Sequence, residues 1–303
     1  MAISRSQLVK ELEPGLNALF GLEYKRYENQ HAEIYNEESS DRAFEEEVML
    51  SGFANAQVKG EGSGVSFDEA QETFTARYTH ETVALAFAIT EEAIEDNLYD
   101  RLASRYTKAL ARSMSNAKQV KSVEPLINGL PTTDAFDSGD GVSLFNTSHP
   151  TVAGTFANTL ATQADLNETS LEQSLIDIAK MTDERGLRIA ARGLKMIIPS
   201  ELQFTAERLM KSQGRTGTAD NDINAIVSMG MVPQGYRVNN YLTDSDAFYI
   251  LTDVPNGMKM FNRAPLTTAM EGDFDTGNVR YKARERYSFG VSDPRGIFGV
   301  EGA

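Results

Sequence analysis

The chain has 303 residues, 41% of them hydrophobic and 24% charged, and a formal net charge of −15. It contains no cysteine, which excludes disulfides, zinc–thiolate centres and thiol catalysis. The acidity argues against sequence-independent nucleic-acid binding, which sets Lys and Arg against phosphates, and no apolar run is long enough for a membrane span.

Solubility is the plain reading of the charge. The length suffices for a large core and two subdomains. The N-terminus lacks the apolar centre of a signal peptide, so a cytoplasm is the simplest home. Residues 1–30 read as a helix-prone arm with Leu8, Leu12, Leu16, Leu19 and Phe20 in an apolar row. Pro14-Gly15 divides that arm into two pieces.

Residues 36–89 change character. Gly60, Gly62 and Gly64 sit together, as at a mobile loop tip. Beyond them Phe74, Ala76 and Tyr78, and then Val83, Leu85, Phe87 and Ile89, show the alternation of strands. This predicts a long two-stranded excursion with a flexible tip. Such a ribbon is marginal in water and needs a surface to lie on.

From Thr90 to Glu124 the spacing predicts one long helix, about 50 Å at 1.5 Å per residue. Ile94, Leu98, Leu102, Tyr106, Leu110, Met114 and Ala117 hold one face, and Arg101, Arg105, Lys108 and Arg112 hold the other. Acidic residues crowd its start and basic ones its end, in the order the helix dipole favours. Pro125 is expected to stop it.

A loop-rich stretch, 129–165, follows, then helices over 168–183 and 201–212 with the strand Gly193–Ser200 between them. Gln213–Asn224, which contains Gly214 and Gly217, reads as an exposed loop. Strands are expected at GYRVNNYL, AFYILTDV and GMKMFNRA, and a long one begins near Val279. Strands and helices mix without regular alternation, which places the chain in the α+β class.

The residues offer little catalytic chemistry. His31 and His80 have no metal-ligand companion at suitable spacing and read as structural or solvent-facing. His149, beside Ser148, reads as a turn residue fixed by Pro150, since a Ser–His pair acts through spatial proximity and an oxyanion hole. Gly60, Gly62 and Gly64 lack dinucleotide-fingerprint spacing. Asp244/Asp246 and Asp273/Asp275 match no EF-hand loop and read as solvated turns. No catalytic, cofactor-binding or metal-ligating residue is assigned, and no cofactor is expected.

The order of these parts resembles the major capsid proteins of tailed bacteriophages, which have the Hong Kong 97 fold. The resemblance rests on the arm, the glycine-tipped ribbon, Phe87–Asp96 leading into the long helix, the strands at 235–262, and the strand pair Val279–Gly290 and Ser292–Val300. Leu144–Asn146 with Ser148-His149-Pro150, Gly154 and Asn158 is similar to the Mu-like branch in particular.

The resemblance implies an N-terminal arm (1–35), an extended E-loop ribbon with its entry strand (36–89), the spine helix of a peripheral domain (90–129), an axial domain (130–275) and return strands (276–303). It implies a non-enzymatic shell protein of the virion, assembled in the host bacterial cytoplasm. Its implied partners are further copies in pentamers and hexamers, a portal protein and enclosed double-stranded DNA that is not specifically bound. A separate scaffolding protein is expected, because the chain begins at Met1 with only a short segment before the ribbon. The implied assembly residues are Lys59, Gly60, Gly62 and Gly64 at the ribbon tip, Arg101, Arg105 and Arg112 on the helix, and Gly214 and Gly217 in the axial loop. Some relatives join an E-loop Lys to an Asn of the next subunit with help from a Glu. Lys59 and Asn278 supply the two ends here, but Arg284 stands where the acid is sought, so no cross-link is expected. An encapsulin-like compartment shell shares the fold, and a cytoplasmic hydrolase using His149 is the reading from another class.

Overall fold

A computed structural model describes the backbone of residues 5–90, 92, 99–133, 135–214, 222–273 and 277–303; the side chains of 5–13 and 99–102 lie outside the description. Two four-stranded sheets organise it. The first has the order β1 (Asn36–Ser39), β10 (Met258–Gly272), β11 (Val279–Val291), β4 (Glu81–Ile89). Its strands are antiparallel apart from the parallel pair β1–β10. The second has the order β12 (Ile297–Val300), β9 (Phe248–Thr252), β7 (Gly193–Ile198), β8 (Tyr236–Val238).

Helices α1 (Arg5–Tyr24) and α2 (Tyr99–Asn128) cover one face of the first sheet. Leu16 and Phe20 of α1, Ala103, Leu110, Ala111 and Met114 of α2, and Tyr281 and Ala283 of β11 close a core there. Alternation along β11 dictates this. Tyr281, Ala283 and Glu285 turn inward, and Arg280, Lys282 and Arg284 turn to solvent.

Pro14 does not divide the arm, and α1 runs through it. A proline removes one intrahelical hydrogen bond, and burial of Leu16 and Phe20 against Tyr281 holds the later turns. Pro125 does not stop α2, which runs on to Asn128. There it forfeits one bond near the helix end, its carbonyl accepts from Gly129 N at 3.1 Å, and its neighbour Leu126 is fully buried.

The buried stripe of α2 keeps Leu110 and Met114 of the apolar row but is wider than that row. Ala103, Thr107, Ala111, Ser115 and Gln119, in steps of four, are buried, whereas Tyr106 is 49% exposed and rests against Phe87. The small side chains let α1 pack closely on α2. Ile94 and Leu98, and the side chain of Leu102, lie outside the description.

The second sheet is covered by α3 (Glu168–Lys180), α4 (Gln203–Lys211) and α5 (Ala225–Met229), through Leu171, Leu175, Ile178, Ala206, Leu209 and Ile226. Asn167 caps α3 in a reciprocal capping box with Ser170. A third core joins the sheets, where Val123 and Leu126 of α2 meet Tyr249, Met260, Tyr287 and Ile297. Gly257 and Gly296 cross here, and a Cβ built on Gly296 would lie 2.3 Å from the Gly257 Cα.

The sheets do not follow a division at residue 275. β10 precedes it yet belongs to the first sheet, and β12 follows it yet belongs to the second. The long antiparallel pairing of β10 with β11 overrides proximity along the chain.

Candidate assembly surfaces

Outside the two sheets, β2 (Phe44–Leu50) pairs with β3 (Glu72–Thr79) in an antiparallel ribbon. β4 leaves the ribbon at its root and enters the body sheet. The face of the ribbon nearer the body is secured by Tyr78 and Ala76 against Phe261. Lys259 of β10 adds ion pairs to Glu38 at 3.2 Å and Glu47 at 2.5 Å. Gly139, at φ +98°, abuts the β3 backbone; a Cβ there would lie 2.9 Å from the Thr75 carbonyl oxygen, so the position requires glycine.

Among the described residues only Arg77 lies over the outer face, its guanidinium 4.1 Å from the Phe44 ring centroid. Phe44, Val48 and Leu50 are exposed on it, and the loop 51–71 beyond exposes Phe53, Val58, Val65 and Phe67, the last at 98%. Apolar side chains grouped this way mark a contact surface. The glycines mark the tip in the sequence, and these apolar residues do not stand out there. Their irregular spacing gives no periodic signal.

Gly60 to Ser63 form a closed turn, with Ser63 N and Oγ both donating to the Gly60 carbonyl, and Gly62 has φ +79°. Lys59 and Gly64 flank it, exposed. The loop is fastened at its base. Asp68 accepts from Ala54 N at 2.6 Å, and Arg185 donates to the Glu69 carbonyl. The backbone N–H groups of Ala54 and Glu69 hold the Asp68 carboxyl below its ordinary range.

On α2, Arg105 and Lys108 are exposed. Arg112 is engaged within its own chain, its Nε donating to Tyr27 Oη at 2.9 Å. The Arg101 side chain lies outside the description. In the segment 213–224 Gly214 is exposed and bridges to Ile223, while Gly217 lies outside the description.

None of the three histidines is solvent-facing. His149 does not sit in an exposed turn; it opens β5 (His149–Thr151), paired with β6 (Gly154–Phe156), and is fully buried. Its Nδ1 lies 2.7 Å from Asp140 Oδ2 and its Nε2 lies 2.9 Å from Asn158 Oδ1. Burial pushes the Asp140 carboxyl up, but hydrogen bonds from His149 and Ser138 outweigh it and leave it lowered. His31 is held by Gln119 and Glu37. His80 lies between two serines, so the carboxylate that orients a catalytic histidine is missing from its ring. Among the described residues no group of three His, Asp or Glu is placed to hold a metal ion.

At the proposed cross-link ends, Lys59 is exposed in the loop and Asn278 immediately precedes β11. The carboxylate nearest Arg284 in sequence, Glu285, is 2% exposed, turned to the helix side and 3.7 Å from Lys118. Denaturing gels of mature particles should show a single subunit band, and a ladder of linked subunits would refute this.

The sequence model of the family described as "Phage capsid protein" matches residues 72–300. The chain belongs to that family. It is a viral capsid protein of bacteriophage type, a structural protein. No curated protein matches it in sequence. Among solved structures, the capsid protein is similar to the virus-like particle from Pyrococcus furiosus, with 11% identity, a TM-score of 0.52, and 94% of this chain and 98% of the other covered. It is similar to the capsid of Myoviridae phage XM1 at 12% identity and TM-score 0.52, with 89% of each chain covered. The capsid of an empty GTA particle gives 13% identity and TM-score 0.53, with coverage of 90% and 89%. At such identities the likeness concerns fold, which is α+β and Hong Kong 97-like.

Proposed function

We propose that the chain is the major head subunit of a tailed bacteriophage or prophage, closing an icosahedral shell around double-stranded DNA. The observation that carries this is the ribbon with its exposed apolar face and loop, attached to a subunit of capsid-family sequence. On this reading the ribbon is the E-loop, α2 is the spine helix, the first sheet is the peripheral domain and the second sheet is the core of the axial domain. The loop crosses to a neighbouring copy, where Phe53, Val58, Val65 and Phe67 lose their exposure to water. Lys59 and the glycines 60, 62 and 64 shape its tip. Arg101, Arg105 and Lys108 meet a neighbour's acidic loop, and the segment with Gly214 and Gly217 faces the capsomer axis. Copies form pentamers and hexamers in the virion, assembled in the host cytoplasm with a separate scaffold and a portal. The segment from Leu144 to Asn158 supports the Mu-like branch.

An encapsulin-like compartment shell is the second reading, supported by the likeness to the Pyrococcus virus-like particle. Electron microscopy of the purified protein, with amide exchange over residues 55–70, tests both. DNA-sized shells with tip amides slowed relative to free subunits are expected. Small cargo-filled shells would transfer the assignment to the second reading, and discrete subunits under all assembly conditions would overturn both.

A further inference from the structure

The ribbon meets the body at two crossings, residues 40–43 between β1 and β2, and His80 between β3 and β4. His80 is 5% exposed and bonds to one crossing and to the body sheet at once. Its Nε2 lies 3.0 Å from Ser40 Oγ, and its Nδ1 lies 2.9 Å from Ser288 Oγ on β11. The Ser40 hydroxyl donates to Glu45 at 2.6 Å, so toward His80 it can only accept. Nε2 therefore carries the ring proton. Nδ1 is bare and takes the proton of the Ser288 hydroxyl. One neutral ring satisfies every bond.

The surroundings oppose a second proton. Arg286 of β11 donates to the His80 carbonyl at 3.4 Å and to the Ala43 carbonyl at 3.5 Å. Arg263 of β10 donates to the Arg42 carbonyl at 2.8 Å, and the Arg42 amide donates to Ser40 Oγ at 3.2 Å. The Arg42 guanidinium lies 3.8 Å from Glu45, the one anion beside the ring. The Phe261 ring stands edge-on at 6.5 Å. Thus two arginines, Arg286 and Arg263, oppose a second proton on an almost fully buried imidazole, and Glu45 favours it.

We propose that His80 is a proton-operated clasp: neutral, it ties both crossings of the ribbon to β11, and a proton taken up in mild acid loosens the root of the ribbon. Burial first, and then Arg286, hold His80 below its ordinary value, with Glu45 opposing in part and Arg263 adding to the depression. The clasped state therefore binds fewer protons than the released one. Its advantage is full above the free value, about 6.5, and declines as the pH falls through it.

The test is amide exchange of the purified full-length subunit at pH 7.5 and 5.5, compared as protection factors. Amides of residues 40–43 and 79–82 should lose up to about tenfold protection per pH unit, the limit for one linked proton, while β7 and β9 keep theirs. His80→Gln places an amide N–H where Nε2–H was and an amide oxygen where Nδ1 was. It should keep its protection at both pH values. A wild-type root insensitive to pH, or an equal loss in His80→Gln, overturns the clasp. If His80→Gln does not fold, Ser288→Ala decides. It removes the bond to Nδ1 without changing charge, so it should lower protection already at pH 7.5 and flatten the pH response; unchanged protection refutes the clasp. The measurement uses free subunits, so its failure leaves the shell-forming function untouched, and a failure to form shells leaves the clasp untouched.

Discussion

Replacing Arg295 by methionine should cost the subunit about 3–5 kcal/mol, the range for removing one partner of a buried ion pair. Arg295 is 3% exposed and sits in the short turn that leads from β11 of the first sheet to β12 of the second. It bonds Thr182 O at 2.8 Å, Asp293 at 3.2 Å and Glu184 at 2.6 Å, and its guanidinium sits 4.2 Å from the centroid of Phe156. His149 stacks on the same phenyl ring, with centroids 4.8 Å apart. Methionine keeps much of the volume but leaves Asp293 and Glu184 buried without a cation. Burial already holds the Asp293 carboxyl above its ordinary range, with Arg295 restraining the rise. A carboxyl with a raised folded value contributes most below its unfolded value, about 3.9, and loses that contribution as pH rises. The deficit of Arg295→Met should therefore be largest near pH 7 and shrink toward pH 4–5. Adding Asp293→Asn and Glu184→Gln should recover most of it, because the charges that lost their partner are gone. Urea denaturation of the wild type, Arg295→Met and the triple variant near pH 7 and near pH 4.5 measures this. A loss under about 1 kcal/mol at pH 7 would show that the buried ion cluster contributes little to the fold.

That cluster was invisible in the sequence, and the reason is geometric. Its members stand at 140, 149, 158, 184, 293 and 295, and no spacing rule joins them. His149 looked like a turn residue because Pro150 follows it, and only the fold brings Asp140 and Asn158 to its two nitrogens. Local signals did better. The alternation at Phe74–Tyr78 and Val279–Ala283 marks true strands, and the glycines at 60, 62 and 64 mark a true turn. Helix boundaries failed where a single proline was weighed alone. Pro14 and Pro125 each remove one bond, while Phe20 and Leu126 bury whole side chains on the same helices. On α2 the apolar row holds for Leu110 and Met114, with Ala103 beside them, and fails at Tyr106, which is half exposed. Size and polarity carry no signal for Thr107 and Ser115, which are buried all the same.

Reversing Arg105 to glutamate should block assembly and leave the subunit folded. Arg105 is exposed on α2. Lys108, one turn on, is exposed too, whereas Arg112 is already bonded to Tyr27. The free part of the basic stripe is thus Arg105 and Lys108, continued in sequence toward Arg101. The segment of the loop from Glu61 to Glu72 carries Glu61, Asp68, Glu69 and Glu72 and no basic residue. One such loop from a neighbour against the stripe would pair opposite charges, and the reversal would set like charges together. Repeated at every subunit, an unfavourable contact of modest size is multiplied through the shell. A solitary surface charge behaves differently, since its reversal in water changes little. Two measurements on the same preparation separate these cases. Thermal melting of Arg105→Glu should match the wild type, and sedimentation should show free subunits in place of shells. Partial rescue by a compensating Glu69→Lys would identify the loop as the partner. Normal melting with a normal yield of shells would return this face of α2 to solvent and leave the apolar loop residues as the chief contact.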